Sequence, residues 1–150
     1  DRSLVGSEMC IRDRKIILPK RVVTSKTFEG ENVNKKSIHD ILESEMILDA
    51  CLEQEVISLI HSAKTILWNG PMGVFENIYF EEGTRELAKA IATSEAFSIA
   101  GGGETLSAIN KYIKSDDVSY CSTGGGAFLE FMEGKVLPSI EVLNSKEIGS

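Results

Sequence analysis

Apolar residues arrive in this chain in two rhythms. Short β-branched or aromatic runs, Ile16-Ile17-Leu18, Val22-Val23-Thr24 and Thr65-Ile66-Leu67-Trp68, with shorter ones at 96–100 and 119–122, alternate with stretches where apolar residues recur every three or four positions. The runs predict buried strands, because such side chains suit a pleated surface with both faces covered. Leu52, Val56, Leu59, Ile60 and Ala63 predict an amphipathic helix over 52–63 that covers one sheet face. A second helix is predicted over 80–93, with Leu87, Ala88, Ile91 and Ala92 inward, and two more over 105–113 and 127–133. Residues 27–44 are polar and read as a surface connection whose Lys35-Lys36 pair is solvated. Strands alternating with helices predict an α/β fold: a doubly wound, mostly parallel sheet with helices on both faces.

The candidate chemistry lies where strands end. Ser98-Ile99-Ala100-Gly101-Gly102-Gly103-Glu104-Thr105-Leu106 passes from an apolar run through three glycines and a carboxylate into a helix. Glycines let backbone N–H groups approach a ligand, and the first N–H groups of a helix are unpaired at its positive end, which together suit a phosphate. A second copy, Cys121-Ser122-Thr123-Gly124-Gly125-Gly126-Ala127, begins its triplet 23 residues after the first, room for one helix and one strand. The alternative is that each triplet serves a turn alone. Asn69-Gly70-Pro71-Met72-Gly73 breaks a third strand, so three special loops share the rim where α/β sheets bind ligands. Carboxylate and amide side chains among N–H groups suggest a nucleotide phosphate with Mg2+, which takes one or two carboxylates plus phosphate oxygens. There is no G-x-x-x-x-G-K-[ST], and Leu106 stands where a dinucleotide fingerprint has its third glycine, so this is at most a partial Rossmann-like domain.

Composition narrows the partners. A formal charge of −7 argues against nucleic acid or an anionic membrane, so an anion must be held locally. Cys10, Cys51 and Cys121 are odd in number and without C-x-x-C, which points away from a disulfide framework or thiolate zinc and toward a reducing, cytoplasmic setting. No apolar run approaches the roughly 20 residues that span a bilayer. Residues 1–14 fit nothing that follows and read as a non-native scar or a disordered arm, leaving 15–150 as the domain; the scar reading implies a protein that extends upstream.

The run Lys64-Thr65-Ile66-Leu67-Trp68-Asn69-Gly70-Pro71-Met72-Gly73-Val74-Phe75-Glu76, with Gly83-Thr84, Gly101-Gly102-Gly103-Glu104-Thr105 and Ser122-Thr123-Gly124-Gly125-Gly126-Ala127, closely resembles phosphoglycerate kinase. Leu129-Glu130, Glu133-Gly134-Lys135 and Leu137-Pro138 extend the resemblance across about 15–143. It implies part of the C-terminal, nucleotide-binding half of a two-domain glycolytic kinase. That family transfers a phosphoryl group between 1,3-bisphosphoglycerate and ADP, giving 3-phosphoglycerate and ATP, with magnesium, as a cytoplasmic monomer. By position, Glu76 then meets the ribose and Asn69 the phosphates. Gly101, Gly102, Gly103, Glu104 and Thr105 form the phosphate loop, with Glu104 on Mg2+. Gly124, Gly125 and Gly126 point amides at the phosphoryl group in flight.

This sequence departs from the family pattern in places. Glu104 stands where aspartate is more frequent, leaving direct and water-mediated metal contact both open. Ile47 and Cys51 occupy frequent glycine positions on a wall of the nucleotide pocket, and Phe128 replaces a frequent serine. Trp68 reads as packing rather than a stacking platform, and His61 as a surface or capping residue. The family's basic cluster for the acyl phosphate belongs to an N-terminal domain outside these residues, so the chain alone is expected to be nearly inactive. The alternative is a non-catalytic nucleotide-binding module.

Overall fold

The computed structural model describes residues 16–122. The second glycine triplet, the helix expected over 127–133, Phe128 and the arm 1–14 lie outside them.

Among the described residues, six strands form two three-stranded sheets. In the first, β1 (Arg21–Ser25) lies between β2 (Asn34–Ser37) and β3 (Met46–Ala50), antiparallel to both. In the second, β4 (Thr65–Asn69), β5 (Phe97–Gly101) and β6 (Tyr120–Ser122) run parallel in sequential order. Helices α1 (Gln54–Ser62), α2 (Glu82–Thr93) and α3 (Gly103–Tyr112) connect or precede these strands. The parallel sheet with its helices is the α/β fold expected. Its strand order advances one way, as in half of a doubly wound sheet, and right-handed crossovers then put α2 and α3 on the same side.

Alternation along the parallel strands fixes the core. Ile66, Trp68, Ala100 and Cys121 share one face and pack with Ala88, Ile91, Ala108 and Ile109 from α2 and α3. Leu67, Phe97 and Tyr120 alternate onto the other face and are exposed. Trp68 is 4% exposed and belongs to this core, as expected. A smaller cluster, Val23, Leu48 and Phe80, joins the antiparallel sheet to the loop before α2.

Three local expectations are corrected. Ile16-Ile17-Leu18 is no strand; all three side chains are exposed, and Pro19 supplies no donor for a ladder. The polar stretch 27–44 is more than a connection, since it holds β2 and a 3₁₀ turn at Ile38–Asp40. An edge strand reading Asn-Lys-Lys-Ser has no apolar alternation to betray it, and its lysines suit an edge. Those lysines are not merely solvated: Lys35 Nζ lies 3.2 Å from both oxygens of Glu82, and Lys36 Nζ lies 2.8 Å from Glu45 Oε1. Helix α1 carries no buried residue, and Leu59 is exposed; Ile60 packs against the core. His61 is exposed on its last turn, 3.0 Å from Thr93 Oγ1. Among the described residues no helix is long and apolar enough to cross a membrane.

Candidate nucleotide site

The rim where β4 and β5 end is assembled by side chains that hold backbone. Asn69 pairs with Gly101 in the ladder, so the two loops leave the sheet side by side. Gly70 turns with φ +100°, its carbonyl accepting from Trp68 Nε1 at 2.9 Å and its N–H donating to Thr105 Oγ1 at 2.7 Å. Thr105 is buried, so its hydroxyl ties the Asn69 loop to the first turn of α3 rather than facing solvent.

Gly102 caps α3 with φ +94°, a conformation that L side chains rarely adopt, and no side chain caps the helix. A Cβ at Gly102 would meet Asn69 Oδ1 at 3.5 Å, which places that amide over the glycine loop. Gly103 has ordinary helical backbone, and a Cβ there would meet nothing within 4 Å. Leu106 N–H donates to the Gly102 carbonyl, which leaves the N–H groups of Gly103, Glu104 and Thr105 without a partner inside the helix. The helix dipole adds partial positive charge at the same point. Gly103 and Glu104 are exposed and Gly101 is buried beneath them. Unpaired donors and partial positive charge thus coincide at the start of α3.

Glu76 is placed from elsewhere. It follows Phe75, whose ring is buried against Tyr112 and whose carbonyl accepts from Lys111 Nζ at 2.8 Å. Glu76 itself is exposed, and among the described residues no hydrogen bond joins it to the glycine loop. The structure thus gathers Asn69, Gly101, Gly102, Gly103, Glu104 and Thr105 on one rim, with Glu76 at the far end of the 70–76 loop.

That loop runs past an apolar cleft of 360 Å³, lined by Ile38, Ile41, Ile47, Leu48, Met72 and Val74 among others. Ile47 lines this cleft. Cys51 lines a smaller neighbouring cleft of 120 Å³, and burial pushes its thiol pKa up.

Behind the cleft lies an anchor that was not singled out beforehand. Asp49, buried on β3, accepts from Gly83 N–H at 2.9 Å through Oδ2 and from Ala50 N–H at 2.9 Å through Oδ1. Burial raises its pKa, and the two N–H bonds oppose the rise. Thr84, next along α2, accepts from the N–H groups of Met72 and Gly73. A Cβ at Gly73 would meet Asp49 Oδ1 and the Leu48 carbonyl at 2.5 Å, and one at Gly83 would strike the Ala50 carbonyl. The adjacent Gly83-Thr84 pair signals this in sequence, but its geometric reason is not legible there.

Among the described residues no three histidine, cysteine, aspartate or glutamate side chains group as a metal site. Glu104 alone offers a carboxylate at the helix start, a donor set that suits Mg2+ arriving with phosphate oxygens and not a resident protein-bound ion.

Fold and rim define a class: an α/β domain with an uncapped helix start at the rim of a parallel sheet and an apolar cleft along the 70–76 loop. The model of the phosphoglycerate kinase family matches residues 6–135. The structure of phosphoglycerate kinase from Coxiella burnetii superposes with a TM-score of 0.80 at 40% identity, over 96% of this chain and 38% of that one. Phosphoglycerate kinase from Pyrococcus horikoshii OT3 gives 0.69 at 33% identity, over 91% and 35%. The chain belongs to the phosphoglycerate kinase family, and it spans less than two fifths of the length of these solved relatives.

Proposed function

We propose that this chain supplies the magnesium–nucleotide side of a phosphoglycerate kinase, which moves a phosphoryl group between 1,3-bisphosphoglycerate and ADP to give 3-phosphoglycerate and ATP. The observation that carries the reading is the open start of α3. Asn69, Gly102 and Thr105 meet there, and three N–H groups lack a partner inside the helix, beside an exposed carboxylate.

The nucleotide phosphates lie against the N–H groups of Gly103, Glu104 and Thr105, with the Asn69 amide donating from above Gly102. The base fills the apolar cleft beside Val74 and Ile47, and Glu76 accepts from the ribose hydroxyls. Glu104 holds Mg2+ together with phosphate oxygens; the ion, when bound, offsets the charge that spreads over the transferring group. Gly124, Gly125 and Gly126, in the other copy of the motif, offer further amides to that group. The acyl-phosphate substrate is held by an N-terminal domain in a monomeric, cytoplasmic enzyme, so this chain alone turns over almost nothing.

Isothermal titration of the chain with ADP, with and without Mg2+, tests the reading. Binding is expected only or chiefly with the metal, and Glu104→Gln is expected to remove the metal's contribution. Absence of binding to folded chain refutes the assignment. Metal-independent binding that Glu104→Gln does not alter removes Glu104 from its role.

A further inference from the structure

A cluster at the opposite end of α3 has no part in the phosphate rim, yet it holds the residue next to Glu76. Lys111 Nζ donates to the Phe75 carbonyl at 2.8 Å and to Glu81 Oε2 at 3.0 Å. Tyr112 OH donates to the same Glu81 oxygen at 3.2 Å, and Arg85 Nη1 reaches Glu81 Oε1 at 3.2 Å. The ammonium also lies 5.8 Å from the Phe75 ring centroid and 5.3 Å from that of Tyr112. Glu81 keeps its carboxyl below the ordinary range, chiefly through the bond from Lys111.

The consequence is geometric. The Phe75 carbonyl belongs to the peptide plane that carries the Glu76 N–H, so holding that oxygen orients the peptide from which Glu76 extends. The Phe75 ring is buried, and its N–H donates to the Gly73 carbonyl at 2.9 Å. Lys111 sits seven residues after Glu104 on one helix, about 10 Å along its axis. One rigid rod therefore carries the phosphate-facing N–H groups at its start and the anchor of Glu76 near its end.

We propose that Lys111, held by Glu81 and Tyr112, is a positioning residue that sets Glu76 at the reach of a nucleotide ribose. Lys111 touches no ligand itself. It converts the length of α3 into the spacing between phosphate and sugar contacts. The inference rests on the reading of Glu76 as the ribose contact, and the test separates the two.

The full chain is titrated with three magnesium complexes: ADP, 2′,3′-dideoxy-ADP and pyrophosphate. Wild type is expected to prefer ADP over the dideoxy nucleotide by about tenfold, the worth of a hydrogen bond to a charged acceptor. Glu76→Gln and Lys111→Met should both shrink that preference and leave pyrophosphate affinity unchanged, and Lys111→Arg should restore it. A merely structural role would weaken all three ligands together, and that result overturns the proposal. If Glu76→Gln erases the preference but folded Lys111→Met retains it, the proposal falls and the Glu76 reading stands. If Glu76→Gln changes nothing, or no complex binds wild type, the Glu76 reading falls and takes the proposal with it. Should Lys111→Met fail to fold, Tyr112→Phe decides: a reduced preference supports the proposal and a full one overturns it.

Discussion

Gly103→Ala separates two explanations of the glycine loop that its sequence leaves entangled. Gly102 needs to be glycine for its backbone alone, with φ +94°. Gly103 has no such need, because its backbone is helical and a Cβ would meet nothing within 4 Å. Alanine there should stabilise the free protein by ~0.4–1 kcal/mol, since the unfolded chain loses freedom that the folded one never used. For a chain of this length that raises Tm by about 1–4 °C. If the space above Gly103 belongs to a phosphate, the methyl costs a hydrogen bond to a charged group, ~1.5–3 kcal/mol or tenfold and more in affinity. Thermal unfolding reads both effects in one series. With magnesium–ADP at about 100 times the wild-type Kd, linkage stabilises wild type by ~2.7 kcal/mol, and a tenfold weaker variant by ~1.4 kcal/mol. The expected result is a higher Tm without ligand and a smaller rise with it. A higher Tm with an undiminished ligand response would mean that the loop keeps nothing for a phosphate at this point. A lower Tm without ligand would refute the geometry itself.

Two further outcomes follow from buried and paired carboxylates. Asp49→Asn should destabilise by ~1–3 kcal/mol in urea unfolding even though it removes a buried charge, because Gly83 and Ala50 donate to different oxygens and either amide orientation sets a donor against a donor; an unchanged midpoint would refute this. Glu81 and Glu45 have depressed pKa values in the folded state, chiefly through bonds from Lys111 and Lys36, so their contribution is present above the ordinary glutamate value of 4.5 and lost as pH falls through the folded values. Asp49, with its raised pKa, acts in the opposite sense: folding gains as it protonates, from its folded pKa down to its ordinary value of 3.8. Melting curves from pH 7 to 3 should therefore fall below about pH 4.5 less steeply in Glu81→Gln than in wild type, and equal slopes would dismiss the Lys111–Glu81 bond as a stabilising contact.

Legibility of the fold in sequence followed burial. Strands β4 and β5 and helices α2 and α3 were readable because their apolar spacing answers to one shared core of Trp68, Ala88, Ile91, Ala100 and Ile109. Strand β2 was not, because an edge strand of polar residues is held by its neighbour's backbone and leaves no apolar trace. Ile16-Ile17-Leu18 misled in the other direction: it has β-branched composition but no pairing partner among the described residues. The site divides the same way. Glycine triplets and the Asn69 turn announce a rim, whereas the uses of Thr105, Asp49 and Lys111 depend on contacts 30 or more residues away in the chain. No local spacing encodes those contacts: Thr105 reads in sequence as a phosphate-loop residue without its tie to Gly70, and Asp49 and Lys111 read as ordinary positions.

The same contacts bear on the proposal that an acidic chain presents a surface to an anion. Lys35, Lys36, Arg85 and Lys111 each face a glutamate, so these cations hold the fold rather than the ligand. What remains at the start of α3 is peptide: N–H groups aimed by the helix and freed of side-chain caps by Gly102. Peptide donors need exact placement, because a fixed dipole cannot swing toward its target as a lysine can. Trp68 and Thr105 supply that placement from both sides of Gly70, and Asp49 and Thr84 supply it where the loop meets α2. The buried hydroxyls and the buried carboxylate are thus parts of the rim as much as the exposed glycines are. On the proposed reading, in which backbone meets phosphate, the polar core is what holds that backbone still.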